Sequence, residues 1–301
     1  MALAIAVASG ACRQSKPFAR DRVIEQLHTS YPDAALPADE LSPGVVAYEN
    51  LVYVRRPKVD LELDLYAPGD PGRHPGVIVV HGGGWQSGDR TMERPLAKRL
   101  AARGYAAATV GYRLGDAGRF PAAFEDIRDA VRFLRESAAR FSIDPDAIGA
   151  VGGSAGGQLV ALLGATSGRR ENDAASVQAV VDIDGLADFT GPALLDKEKR
   201  DPGSPTRFLG GPFAERAEVW REASAITHVG PASAPTLFIN STAPTPILPG
   251  RPEMCAKLHA LGIDCAIVVV PDTPHPFWLV EPWFDLTVDH VDAFLRRHLR
   301  R

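Results

Sequence analysis

Two short stretches of this chain carry residues that can do nucleophilic chemistry, and a third carries the base they would need. VGGSAGGQ, residues 151–158, sets Gly152, Ser154 and Gly156 in a G-x-S-x-G pattern between a strand-like run and a helical run. The flanking glycines let the backbone crowd at a sharp turn and leave Ser154 exposed on it. A helix starting there aims N–H groups and its positive end at developing negative charge. HGGGW, residues 81–85, ends an earlier strand. Its glycines free backbone amides to face a carbonyl oxygen, so the amides of Gly83, Gly84 and Ala155 are the expected oxyanion hole. His81 is expected to hydrogen-bond the glycine loop. Trp85 is expected either to line an acyl pocket or to pack in the core.

A serine nucleophile needs a base. Of eight histidines, only His275, in PDTPHPFW, sits at the C-terminal end of the last strand-like run, CAIVVV. His290 and His298 fall in the final helical run. His28 and His74 precede the active loops, and His228 and His259 fall in a connection and a helix. His275 is the expected base.

These residues must be positioned by the surrounding elements. From Val45 onward, VVAYENLVYV and LELDLYAP alternate apolar and polar residues, as half-buried antiparallel strands do. VIVV, before HGGGW, is apolar on both faces, which suits a central strand covered on both sides. AAATVGYR, AIGAVGG, VQAVVDIDG, PTLFIN and CAIVVVP repeat that signature, with helical patterns between them. The alternation predicts an α/β fold with a mainly parallel, doubly wound sheet and antiparallel strands at its N-terminal side. Residues 186–234 are too long for a plain connection and are expected to form a small cap over the sheet's C-terminal edge, where ligands of such sheets bind.

HGGGWQSGDR, FPAAFEDIRDAVRFLRESAARFSIDPDAIGAVGGSAGGQLVALLGA and VVDIDGLADF together resemble the α/β-hydrolase fold. More narrowly, they resemble the esterase/lipase group that includes hormone-sensitive-lipase-like and feruloyl or acetyl-xylan esterases. The similarity runs from about Val45 to the C-terminus. It implies a serine hydrolase with residues in the order serine, acid, histidine, and in this group the acid usually lies in the loop after PTLFIN. Here that region, INSTAPTPILPGRP at 239–252, has no carboxylate. Asp184, ending VVDIDG on the neighbouring strand, is the preferred acid. Asp272, three residues before His275, is the alternative, followed by Glu281, Glu253 and Asp188. Arg251 lies in the loop that lacks the acid. It is expected either to clamp a substrate carboxylate, such as a uronic acid, or to face solvent. Phe277, Trp278, Trp283 and Phe284 could stack on sugars, though core packing is the default for such residues.

The expected activity is serine carboxylester hydrolysis, on a small ester or an oligosaccharide ester bearing acetyl, methyl or feruloyl groups. A small amidase or peptidase of the same fold and a non-catalytic binding protein remain the other two readings. No ligand cluster or nucleotide loop points to a metal or organic cofactor. The charge balance, 33 basic against 37 acidic residues with no long basic run, argues against nucleic acid as a partner. MALAIAVASGAC, residues 1–12, resembles the end of a bacterial lipoprotein signal with Cys12 as the lipidated residue, although the basic region expected before it is missing. Export with a lipid anchor is the expectation, followed by an extension at 13–44 and one hydrolase domain over 45–301. Cys255 and Cys265 are expected to be two buried free thiols.

Overall fold

The central strands are apolar on both faces because helices cover both. In β3 (His74–Val80), Val77 and Val79 point into one core layer and Ile78 and Val80 into the other, and all four are fully buried. The period of two that any strand imposes is what divides them. The structure is a computed structural model that describes residues 20–168, 173–242 and 249–300. The signal-like segment 1–12, with Cys12, lies outside the described residues.

Eight strands form one mixed sheet in the order β1-β2-β4-β3-β5-β6-β7-β8. The other strands are β1 (Val45–Arg56), β2 (Val59–Pro68), β4 (Ala106–Val110), β5 (Ile143–Gly153), β6 (Ala179–Ile183), β7 (Thr236–Asn240) and β8 (Cys265–Val269). β1 and β2 are antiparallel, as are β2 and β4; every later pairing is parallel. The reversal at β3 makes β3 and β5 neighbours, which brings the HGGGW loop beside the end of β5.

Nine helices are described: α1 (Arg20–Leu27), α2 (Arg94–Ala102), α3 (Ala122–Glu136), α4 (Ala155–Thr166), α5 (Pro192–Arg200), α6 (Ser204–Phe208), α7 (Phe213–Ala223), α8 (Arg251–Ala260) and α9 (Phe284–Leu299). In α3, Phe124, Ile127, Val131 and Leu134 recur at helical spacing and are buried. They share one core layer with Leu159 and Leu163 of α4 and Met254 and Leu258 of α8. α1, α2 and α9 fill the opposite layer through Val23, Leu27, Leu96, Leu100, Val288 and Leu295. Between β6 and β7 the chain carries α5, α6 and α7. Their Phe208 and Trp220 pack against Phe189, Trp220 edge-on, and Phe208 stacks on Trp85. The N-terminal extension packs on the C-terminal region: Ala35 pairs with Glu281, and Tyr31 meets the edge of Trp283.

Phe277, Trp278 and Phe284 are buried in the second core layer and Trp283 packs on Tyr31, so the aromatic run takes its default role of packing rather than stacking on sugars. One expectation needs correction. Cys255 and Cys265 are not free thiols but a disulfide with 5.3 Å between Cα atoms. The chain reverses at Gly262 (φ 73°), which returns the first residue of β8 alongside the second turn of α8. Spacing in the sequence did not contain that reversal. Alkylation of the denatured, unreduced chain should therefore leave Cys255 and Cys265 unmodified. Replacing both with serine should lower stability by about 2–3 kcal/mol, the loop-closure value for a ten-residue separation. Full alkylation of both thiols would contradict the pairing.

Candidate active site

β5 ends at Gly153 and α4 begins at Ala155, so a single residue makes the turn. That residue, Ser154, holds φ 55° and ψ −117°, outside the usual region for an L-residue. The turn closes this tightly because Gly152 and Gly156 meet backbone to backbone. A Cβ on Gly152 would overlap the Gly156 carbonyl, and one on Gly156 would overlap the Val80 carbonyl. The Ser154 amide donates to the Ile183 carbonyl at 2.7 Å, tying the elbow to the end of β6.

Ser154 Oγ–H donates to His275 Nε2 at 2.9 Å, and His275 Nδ1–H donates to Asp184 Oδ2 at 3.0 Å. The three residues come from the ends of β5, β6 and β8. Asp184 also has a positive φ, 52°. Its Oδ1 accepts the Ser241 amide at 2.8 Å, and its own backbone amide donates to the Ile239 carbonyl, so one carboxylate oxygen and the main chain are anchored to the end of β7. The His275 loop is anchored there too: Thr273 and Thr242 exchange two hydrogen bonds, and Thr273 Oγ1 donates to the Val270 carbonyl at 2.8 Å. The imidazole side chain is 40% exposed, open to a ligand on one face. The ring edge of Trp278 packs beside it, 5.4 Å between centroids.

Ser154 and His275 open onto a cavity of about 370 Å³, lined also by Gly84, Trp85, Ala155, Leu186, Leu194 and Pro205. Gly83 (φ 110°) and Gly84 (φ 59°) turn the backbone in a region other residues avoid. The Gly83 carbonyl accepts the Gln86 and Ser87 amides, which closes the loop. The Gly83 and Gly84 amides donate to no acceptor among the described residues. Ala155 opens α4, where an amide has no partner within the helix. Trp85 does both things foreseen for it: it lines the cavity and stacks on Phe208 at 4.6 Å, its indole N–H donating to Gln158 at 3.1 Å. His81 donates from Nδ1 to the Gly82 carbonyl at 2.7 Å and stacks on Tyr112. Burial pushes its pKa down to about 4, so it is neutral at physiological pH.

Arg251 is neither a substrate clamp nor a solvent-facing residue. It is 1% exposed, and its Nε donates to the Gly185 carbonyl at 2.8 Å, as does Nη2, while Nη1 donates to Asn240. Asp182 and Asp184 both lie near its guanidinium. From the first turn of α8 the side chain thus points inward, to the residues that end β7 and follow β6. The alternative acids are elsewhere: Asp272 and Glu253 are exposed, Glu281 pairs through its backbone with Ala35, and Asp188 caps Thr190.

Two buried carboxyls near the site were not foreseen. Asp182 accepts the Gly185 amide at 2.6 Å, and burial raises its pKa to about 6 against the opposing pull of Arg251. The D-x-D of VVDIDG signalled it, since residues two apart share a strand face. Glu93 accepts the Trp278 indole N–H at 3.2 Å, and burial pushes it up to about 8, so this carboxyl is protonated at neutral pH.

The sequence profile of the BD-FAE family matches residues 63–249, from β2 to just before α8. Esterase LipC of Mycobacterium tuberculosis is 31% identical over 68% of this chain and 55% of its own length. Esterase LipQ of the same organism is 27% identical over 88% of this chain and 63% of its own length. The chain thus spans little more than half the length of these two curated relatives. Among solved structures, butyrate-bound esterase Est2 of Thermogutta terrifontis superposes with a TM-score of 0.69 at 26% identity, covering 85% of this chain and 94% of that one. A truncated carbohydrate esterase from gut microbiota shares the fold, with a TM-score of 0.71 at 21% identity, covering 87% of this chain and 99% of that one. With a family match over more than half its length, on the fold described above, the chain belongs to the BD-FAE family of the α/β-hydrolase esterase/lipase group.

Proposed function

We propose that this chain is a serine carboxylesterase working through an acyl-enzyme. The observation that carries the reading is the unbroken hydrogen-bond chain from Ser154 Oγ through His275 to Asp184 at the floor of an open, largely apolar cavity. His275 Nε2 takes the Ser154 proton as Oγ attacks the ester carbonyl carbon. The carbonyl oxygen becomes an oxyanion facing the Gly83, Gly84 and Ala155 amides. His275 then passes its proton to the departing alkoxide and leaves an acyl-serine. Water gives a proton to the same nitrogen and attacks the acyl carbon, the proton returns to Ser154, and the acid leaves. Asp184 holds the imidazole in the tautomer whose Nε2 is free and stabilises the imidazolium in both halves.

The substrate proposal is an acetyl, methyl or feruloyl ester of a plant polysaccharide fragment. Trp85, Leu186, Leu194 and Pro205 offer an apolar slot for the acyl group. The family resemblance and the carbohydrate esterase of the same fold support the sugar half. Export, with a lipid on Cys12, belongs to the same proposal. The apolar run ending at Cys12 supports it, as does the Cys255–Cys265 disulfide, a bond that persists in oxidising compartments.

Three measurements test these statements. A fluorophosphonate probe should label Ser154 in the wild type and not in Ser154→Ala. That variant should also retain less than about a hundredth of wild-type turnover on a nitrophenyl ester, with an unchanged circular dichroism spectrum. If the wild type hydrolyses nitrophenyl butyrate but none of the acetyl, methyl and feruloyl esters of xylan and pectin, the carbohydrate part of the proposal falls and the esterase part stands.

Asp184→Asn, nearly isosteric, should lower kcat by roughly 10² or more with little change in KM, because the wrong imidazole tautomer then faces Ser154. Asp272→Asn should remain close to wild type. The opposite pattern would move the acid onto the histidine's own loop.

Expressed with its native upstream DNA, the chain should partition into the detergent phase. Equal partition of Cys12→Ser would sink the lipid anchor.

A further inference from the structure

The stretch after β7 holds no carboxylate, and Arg251 opens the helix that follows it. We infer that Arg251 is a positioning residue for the triad, its buried guanidinium balancing the Asp184 carboxylate and fixing the Gly185 turn that follows it. The inference rests on the esterase reading above.

Every polar contact of Arg251 falls on the strand ends that build the acid's site. Nε and Nη2 converge on the Gly185 carbonyl, the residue directly after Asp184, and Nη1 reaches Asn240, directly before Ser241, whose amide holds Asp184 Oδ1. Nη1 lies 3.9 Å from Asp184 Oδ1, and Nη2 lies 3.5 Å from Asp182 Oδ1. The guanidinium also lies over Phe238, Cζ 5.6 Å from the ring centroid, so packing helps to hold it as well. Both carboxylate side chains are fully buried, and Arg251 is the cation paired with either of them among the described residues. Two buried carboxylates with one guanidinium leave one charge over. Asp182, whose ordinary range is displaced upward by burial, is the member that can hold a proton. Asp184 accepts hydrogen bonds from both His275 and Ser241.

The groups around the pair can be named. His275 faces Asp184 from the loop after β8, Arg251 from α8, Asp182 from β6 and the Ser241 amide from the end of β7. Lys197 and Glu198, paired at 2.8 Å on α5, lie across the cavity, and Glu93 touches the site only through Trp278. Removing the Arg251 charge makes protonation easier for both Asp184 and His275. The acid limb of the kcat/KM profile, which reports the free enzyme's base, must therefore move to higher pH.

The experiment is a set of pH–rate profiles on a nitrophenyl ester for wild type, Arg251→Lys, Arg251→Gln and the double variant Arg251→Gln/Asp182→Asn. For Arg251→Gln the expected result is an acid limb raised by about one pH unit, kcat lower by roughly 10- to 100-fold and KM within about threefold of wild type. Arg251→Lys keeps the charge and should keep the limb within about 0.3 units of wild type, with a smaller loss of kcat. The double variant removes the second buried carboxylate and so folds without an unpaired Asp182. Its limb should stay raised, and it decides the matter if Arg251→Gln is insoluble. A double variant with the wild-type limb and wild-type kcat would overturn the inference, because Arg251 would then serve only to offset Asp182. An Arg251→Gln limb that coincides with wild type would overturn it too. Inactive wild type, or active Ser154→Ala, would instead overturn the esterase reading, so the two failures are distinguishable.

Discussion

The contact on which the site depends is between two stretches of bare backbone. α4 can start one residue after β5 only because Gly152 and Gly156 let their peptides touch, and because Gly156 can lie against the Val80 carbonyl at the end of β3. That single close approach does two things. It forces Ser154 into its strained conformation, and it presses the first turn of α4 against the strand that leads into the HGGGW loop. The nucleophile and the amides proposed to hold the oxyanion are thus set by one piece of packing. Strain of this kind persists where the surroundings over-determine it. Here they include the bond from the Ser154 amide to Ile183 on the next strand.

Around that point several buried polar groups are held by single hydrogen bonds. His81 is uncharged and braces the glycine loop against Tyr112. The Trp85 indole is held by Gln158, which in turn donates to the Ala223 carbonyl after the inserted helices, joining the cavity wall to the sheet. Glu93 is a neutral acid that receives the Trp278 indole beneath His275. Behind the triad, buried charge gathers in the cluster of Asp182, Asp184 and Arg251, where opposite charges face one another.

Which features the sequence could disclose follows from how local each one is. The elbow is legible because Gly152, Ser154 and Gly156 lie within five residues of one another. The sheet was legible because doubly apolar strands alternate with helical runs. His275 was found by its place after the last strand, and Asp184 by the neighbouring position of β6, once 239–252 proved to hold no carboxylate. The rest depends on what distant elements bring together. No periodicity says that α8 turns its first residue inward under β6, so Arg251 read as a residue facing substrate or solvent. Nothing near Glu93 announces that Trp278, 185 residues later, will donate to it. The cysteine pairing is not legible because ten residues of spacing do not specify a chain reversal at Gly262.

The disulfide lies between the two elements that feed the site from the C-terminal side. α8 begins with Arg251, beneath Asp184, and β8 leads into the loop that carries His275. The turn between them, with Leu261 and Gly262 exposed, is the kind of surface tip where proteases cut. Because Cys255 and Cys265 flank that turn, a cut there yields two polypeptides that remain one molecule, with the histidine's fragment held at high local concentration against the body that carries the serine. In this chain, a nick at that turn opens the backbone without releasing the base.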